Sequence, residues 1–498
     1  MNIRIPAVLK MRNLALLLVG LVSLATASAV QATIVIPASE RSVLLELYND
    51  ANGDGWVNNT GWNGAAGTEC SWYGVSCSQT PGAFCQISIY GGSICPGNVS
   101  EISLPKNKLW GAIQSVDLNS LPYLTRFDVS QNALYLSIPD FSKTAMRVCD
   151  VYNNQLSGSI PNLSGLAGLQ SFNANFNQLT GSIPSLAGLT YLYTFDVGNN
   201  QLTGSIPSLT GLTRLQEFAV YANQLTGQIP DLSALTHLQG FTAGSNQLTG
   251  SIPPLDGLVD LNLFDVHNNQ LTGSIPPLAT LADLEIFDVH NNHLTGSVPC
   301  LSTASPCSST LTQLTTFAAS GNLLTGAVPS LAGLGSMQSF NVAFNDLSGT
   351  VPAAPAALTA GTSGLCPNGL GASPDGATNV AWDAATGNTP WNSDCGGVMT
   401  QTITFTSQAP LYAVANPAMG AQGTYIPSAV ASSGPGMVGL SVDASSQRVC
   451  RINNSGVVTY FAPGLCTIDA NAYGSGVYAP AAQVQQSFQV ILLLRVSR

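Results

Sequence analysis

Two segments, FDVHNNQLTGSIPPL from Phe264 and FDVHNNHLTGSVPCL from Phe287, each carry an Asp and a His two residues apart: Asp265 with His267, and Asp288 with His290. A carboxylate beside an imidazole suits proton transfer, and two such pairs side by side suit a Zn²⁺ or Cu²⁺ ion. Any reaction chemistry rests on this doubling, because the chain has no G-x-S-x-G, H-E-x-x-H, phosphate-cradling glycine loop or C-x-x-C. The remaining histidines are His237 and His293. An Asp recurs at the same place without a His, as Asp128, Asp150 and Asp196. The Asp therefore reads as part of a scaffold and only the His pair as local, so no catalytic residue, metal or cofactor is expected.

The scaffold is an internal repeat. Aligned on the Asn of N-x-L, units fall at Asn107, Asn132, Asn154, Asn177, Asn200, Asn223, Asn246, Asn269, Asn292, Asn322 and Asn345, and seven of the ten spacings are 23 residues. The unit reads L-x-x-F-x-V-x-x-N-Q-L-T-G-S-I-P-x-L-x-x-L-x-x, as in LYTFDVGNNQLTGSIPSLAGLTY. F-x-V has strand period, with alternate side chains on opposite faces. One strand per unit cannot bury its apolar side alone, so the units must stack into a parallel sheet. The recurrent Asn is expected to turn inward and bond loop backbone, and G-S-I-P to carry the chain to the convex side.

This unit resembles the plant-type leucine-rich repeat, one residue longer than the 23 here, over residues 98–358 and about eleven units. The first two units depart from it, reading NKLWGAIQ and NALYLSIP. The resemblance implies a right-handed solenoid with parallel β-structure on the concave face and a mostly irregular convex side. Such repeats form receptor ectodomains and inhibitors of cell-wall-degrading enzymes.

In this register Asp265, His267, Asp288 and His290 point from the concave face, about 4.8 Å apart across the ladder. Tyr152, Phe176, Tyr221 and Phe344 are outward aromatics of the same face and candidate ligand contacts. Cys149 takes the place held by Phe172, Phe195 and Phe264, and reads as a buried small apolar residue. Thr180, Thr203, Thr226, Thr249, Thr272, Thr295 and Thr325 form a ladder through L-T-G, which reads as a turn-compatible polar position.

Arg4, Lys10 and Arg12, the run LALLLVGLVSLATASA, and small residues ending at Ala29 or Ala32 have the layout of a secretory signal peptide over residues 1–32. Its removal takes three of fourteen basic residues and leaves eleven against twenty-five acidic ones, a net charge of −14. That composition offers no footprint for nucleic acid or an anionic membrane. Eleven cysteines in an exported chain read as a disulfide set, and their spacing suggests local bridges: Cys70 with Cys77, Cys85 with Cys95, Cys300 with Cys307, Cys366 with Cys395, and Cys450 with Cys466. The Cys300 to Cys307 bridge would staple the insert CLSTASPCSST in the one long repeat spacing.

Solenoid ends need caps. Residues 33–97, with a short helix, two Trp and Cys-x6-Cys around WYGV, resemble the N-terminal cap of plant-type leucine-rich-repeat proteins; CQISIYGGSIC adds a hairpin turning at Gly91-Gly92. Asp50-x-Asn52-x-Asp54-Gly55 imitates the start of a calcium loop, but its twelfth position is Gly61 rather than Glu, so a cap turn is expected. Residues 359–396 read as a C-terminal cap. Residues 397–498 alternate like strands with a turn at Asn454-Ser455-Gly456, and resemble a bacterial immunoglobulin-like sandwich. Together these features predict an exported, non-catalytic protein, secreted or at the cell surface, that recognises a protein or a cell-surface polysaccharide through its concave face. The competing readings are a secreted carbohydrate-active or metal-dependent enzyme, and an ice-binding or structural surface protein.

Overall fold

The computed structural model describes residues 33–492 apart from 88–92, 306, 394, 396–401, 411, 416–423, 432–437, 454–455, 461, 472–480 and 482. The signal peptide, the Gly91-Gly92 turn and part of the Asn454-Ser455-Gly456 turn lie outside these residues. Among the described residues no helix is long and apolar enough to cross a membrane.

From Ser93–Ser103 to Ser339–Asn341, eleven strands pair in parallel, one per repeat and in sequence order. Register is held by the core residue: Phe172 pairs with Phe195, Phe195 with Phe218, and so on to Phe340. Neighbouring phenylalanine rings stack with centroids 5.5–5.7 Å apart and planes within 14–20°. Cys149 lies in this row between Phe127 and Phe172, fully buried, and burial pushes its thiol pKa upward, which keeps it an inert core residue.

Each ladder Asn does what its recurrence predicts. Asn223, with no exposed surface, donates from Nδ2 to the carbonyls of Val197 (2.9 Å), Val220 (3.1 Å) and Tyr221 (3.2 Å), and its Oδ1 accepts the Leu202 N–H at 2.9 Å. One side chain thus satisfies backbone of two turns. The residue before each ladder Asn is left-handed, with φ from 47° to 64° between Asn153 and Phe344. Most turns place a small or polar residue there, as Asn153, Asn199, Ala222, Ser245, Asn268, Asn291 and Gly321, in line with the low cost of that conformation for Gly and Asn.

Two features go beyond the expected pattern. The ladder continues to Asn368, which donates to Val342 and Leu365 and accepts the Leu347 N–H, while Gly364 bridges Asn341. The expected C-terminal cap therefore begins with a further solenoid turn. On the convex side, short parallel strands run through Q-L-T-G-S, for example Thr203–Ser205, Gln224–Gly227 and Gln247–Leu248, where an irregular surface was expected. They straddle glycines at positive φ such as Gly204 and Gly227, so they carry no alternating apolar pattern.

At the N-terminal end the helix Ala38–Asp50 packs with a cluster of Tyr48, Trp56, Trp62 and Trp72. The buried Glu40 carboxylate accepts the Val99 N–H at 2.6 Å. Asp54 and Asp50 of the calcium-loop-like segment accept the hydroxyls of Tyr48 and Ser115, each at 2.6 Å, as cap-turn residues do. At the other end the helix Gly376–Thr386 is capped by Asp375, and Trp382 meets Phe340. All five expected disulfides are present and Cys149 is free. Within residues 403–492 most strand pairs are antiparallel, around a core of Cys450, Val458, Tyr460, Cys466, Ile468, Phe488 and Val490.

Candidate ligand-binding face

Phe195 and Val197 point into the core, so Asp196 and Gly198 face outward; the same alternation lays out the concave face of every turn. The recurrent acidic position has a local structural use. Its Oδ1 accepts the N–H two residues on, at 3.0–3.2 Å, in Asp128, Asp150, Asp196, Asp265 and Asp288, and Asn173 and Asn341 do the same.

Stacking these carboxylates in a partly buried row has an electrostatic cost. Burial, opposed by the Tyr152 N–H and assisted by the Asp128 charge, raises the Asp150 pKa to about 6. Burial also raises Asp196 and Glu217. A carboxyl whose pKa is higher folded than unfolded binds protons more tightly when folded, so its stabilising contribution exists at low pH and is lost as pH rises from 3.8 through about 6. A rise from 3.8 to about 6 corresponds to about 3 kcal/mol, reduced by solvent access to on the order of 1–2 kcal/mol. Asp150→Asn keeps the acceptor for Tyr152 and removes the charge. It should stabilise the chain by that amount near neutral pH and leave stability unchanged near pH 4, as read by urea unfolding at both; equal effects at the two would rule out this origin.

The outward aromatics differ in how they are held. Tyr152 and Phe176 meet edge to face with centroids 5.9 Å apart, and Phe176 is 48% exposed. Tyr221 is half-buried: it lies back over Gly198, where a Cβ would come within 2.6 Å of its ring, and its hydroxyl accepts from Asn175 Nδ2 at 2.9 Å. Asn175 also donates to Asp196 at 2.9 Å and accepts from Asn199 at 3.1 Å. Phe344 is partly buried at the far end of the sheet, two turns beyond His290.

His267 and His290 lie between. His267 folds over Gly244, where a Cβ would sit 2.4 Å from its Nδ1. Each Nδ1 lies 2.5 Å from the Oδ1 of its own Asp265 or Asp288. The two rings stack 4.8 Å apart and within 7° of parallel, and His267 Nε2 is 3.2 Å from Ser245 Oγ. Burial works against the charged form of His267, but the Asp265 hydrogen bond and the Asp265 and Asp288 charges outweigh it, so its pKa lies above the ordinary imidazole value. Sequence register brings together the four Asp and His residues and, separately, Tyr152 with Phe176. It does not reveal the Asn175, Asp196, Asn199 and Tyr221 network, for which a glycine 23 residues before a ring is the available signal.

On the convex side the Thr hydroxyls have partners within the fold: Oγ1 of Thr180, Thr203, Thr226, Thr249, Thr272, Thr295 and Thr325 each lies 3.3–3.5 Å from a glycine carbonyl of the preceding turn.

The parallel strands, the asparagine ladder and the stacked core define a leucine-rich-repeat solenoid. Neither a family model nor a curated protein matches the sequence. Among solved structures it is similar to the leucine-rich-repeat ectodomain of the plant membrane receptor kinase GASSHO1/SCHENGEN3 from Arabidopsis thaliana, in complex with CASPARIAN STRIP INTEGRITY FACTOR 2, at 27% identity and a TM-score of 0.58, covering 69% of this chain and 43% of that one. PEPR1 with AtPEP1 matches in fold at 22% identity and a TM-score of 0.53, covering 67% and 49%. A plant ice-binding protein superposes more loosely, with a TM-score of 0.44 at 21% identity over 64% of this chain and 90% of that one, a fit that bears no functional argument. The chain spans less than half the length of either of the first two.

Proposed function

We propose that this is an exported, non-catalytic recognition protein whose concave face binds a protein or a cell-surface polysaccharide. The observation that carries the reading is Phe176. It occupies the left-handed position that most turns give to a small or polar residue, at φ 54°, and it is 48% exposed. A bulky side chain there costs about 1 kcal/mol over Asn or Gly, and with half its surface in solvent the ring recovers only part of what a core phenylalanine would. Strain kept at an exposed aromatic marks a contact residue. Phe344, at φ 56°, repeats the arrangement farther along the face.

Tyr152 and Phe176 form the apolar anchor of the proposed site, with Tyr221 and Phe344 as further contacts. Asp265, His267, Asp288 and His290 supply polar contact on the same face. The receptor ectodomain similar to this chain was solved in complex with a partner, which supports a binding use of such a repeat array. Export rests on the leader sequence and agrees with five disulfides. In this reading residues 33–97 and 359–396 are caps, and residues 397–498 are an immunoglobulin-like sandwich that serves as a spacer or adhesive unit.

Phe176→Asn relieves about 1 kcal/mol of backbone strain but gives up the buried half of the ring and its contact with Tyr152, so stability should stay within about 1–2 kcal/mol of the natural chain while ligand capture weakens by at least about tenfold. Pull-down and glycan arrays with the full chain supply the binding arm, and Tyr152→Ala should lose the same ligands. Unchanged binding by both variants would remove the proposed contact site.

A further inference from the structure

We propose that His267, Asp288 and His290 form a binding site for a divalent transition-metal ion of the zinc class. The ligand-bearing atoms of these three side chains all lie within 4.8 Å of one another, and each is partly buried. The proposal stands on this geometry and is independent of the aromatic contacts described above.

Hydrogen bonds already fix the side chains. Asp265 and Asp288 accept from Nδ1 of their own histidines at 2.5 Å, and the same Oδ1 atoms accept the histidine backbone N–H groups at 3.1 Å. An ion bound here takes the place of the proton shared between ring and carboxylate, so Nδ1 of each histidine is the metal-binding atom and Nε2–H points away from the ion, toward Ser245 Oγ at 3.2 Å in His267. Both histidines occupy one register position, share one kind of Nδ1 partner and lie within 7° of parallel, so their Nδ1 atoms stand side by side about one strand spacing apart. Two metal–nitrogen bonds of about 2.0–2.1 Å need the nitrogens about 3.3 Å apart at a tetrahedral angle, a tilt of under about 1 Å at each Nδ1. His267 and His290 side chains retain 25% and 28% exposure.

Asp288 Oδ1, which lies 2.5 Å from His290 Nδ1, turns from the shared proton to the ion as the third ligand. Asp265 holds the His267 backbone N–H at 3.1 Å and is a positioning residue. Two imidazoles and one carboxylate select zinc-like ions over calcium or magnesium, which prefer all-oxygen shells. Three protein ligands leave one tetrahedral position open toward the concave side. The site would therefore accept a donor atom from a molecule lying on the sheet.

Equilibrium dialysis of the purified full chain against Zn²⁺ at about pH 7.5 should show one bound ion per chain. His267→Asn and His290→Asn should each weaken uptake by at least about tenfold, and Asp265→Asn by on the order of 10-fold. His237→Asn is the control, because His237 pairs with Asp260 at 3.0 Å and is not part of the cluster, and it should change nothing. With Cu²⁺ as the probe, electron paramagnetic resonance should report two imidazole nitrogens in the natural chain and fewer in either single variant. Metal-free thermal unfolding within about 2 °C of the natural chain shows that the variants are folded. No uptake at about 1 mM Zn²⁺, or uptake that survives either histidine substitution within twofold, overturns the site.

Discussion

Asn223→Ala is expected to destabilise the chain by about 2–4 kcal/mol, although it removes only a small polar side chain. The substitution strands the Leu202 N–H in a dry interior and takes one of two partners from the carbonyls of Val197, Val220 and Tyr221, which keep Asn200, Asn246 and the Asn199 N–H. The unmatched N–H costs about 1–3 kcal/mol and the weakened carbonyls about 1 kcal/mol more. Because one amide serves two turns, the loss falls on the junction between them. Chemical unfolding should show a lower midpoint, and hydrogen exchange should show selective loss of protection at Leu202. A change under about 1 kcal/mol would mean that water substitutes for the amide and that the ladder is dispensable.

Phe218→Ala should cost a similar amount, about 3–5 kcal/mol, by a different route. Its ring stacks on Phe195 at 5.6 Å and Phe241 at 5.7 Å and is fully buried, so truncation leaves a cavity walled by rings that cannot collapse into it without breaking their own register. Phe218→Leu should recover most of the loss, since it restores volume without the stack. A midpoint for Phe218→Ala equal to that of the natural chain would show that the row is packed loosely enough to close. In a linear array each turn touches only its neighbours, so both substitutions should split one unfolding transition into two before they abolish the fold.

The repeat phase, the parallel sheet, the buried asparagines and the disulfide pairs were legible because each is written locally and many times over. Cys149 could be placed in the core by its register alone. Asn368 carried the same signal, 23 residues after Asn345 within LCPNGL, but its turn lacks F-x-V and so escaped the pattern. The convex strands were hidden by their glycines, which break the alternation that marks a strand. The concave site was legible as a set of positions but not as a set of contacts: nothing in one repeat states that Tyr221 reaches Asn175 two turns away, or that Asp196 shares it. Phe176 was identifiable as outward, yet its backbone conformation, which separates it from an ordinary surface aromatic, follows only from the turn geometry.

Gly198 and Gly244 carry a consequence for how such a chain can be rearranged. Each empties its own turn to seat a ring contributed by the next one, Tyr221 and His267. Excising the turn that holds Gly198 would lay Tyr221 on Asn175, and excising the turn that holds Gly244 would lay His267 on Tyr221. The strands and the asparagines would tolerate either recombination, because every turn offers them the same partner. The unit that can be shuffled without damage is therefore one turn for the scaffold but two for the binding face.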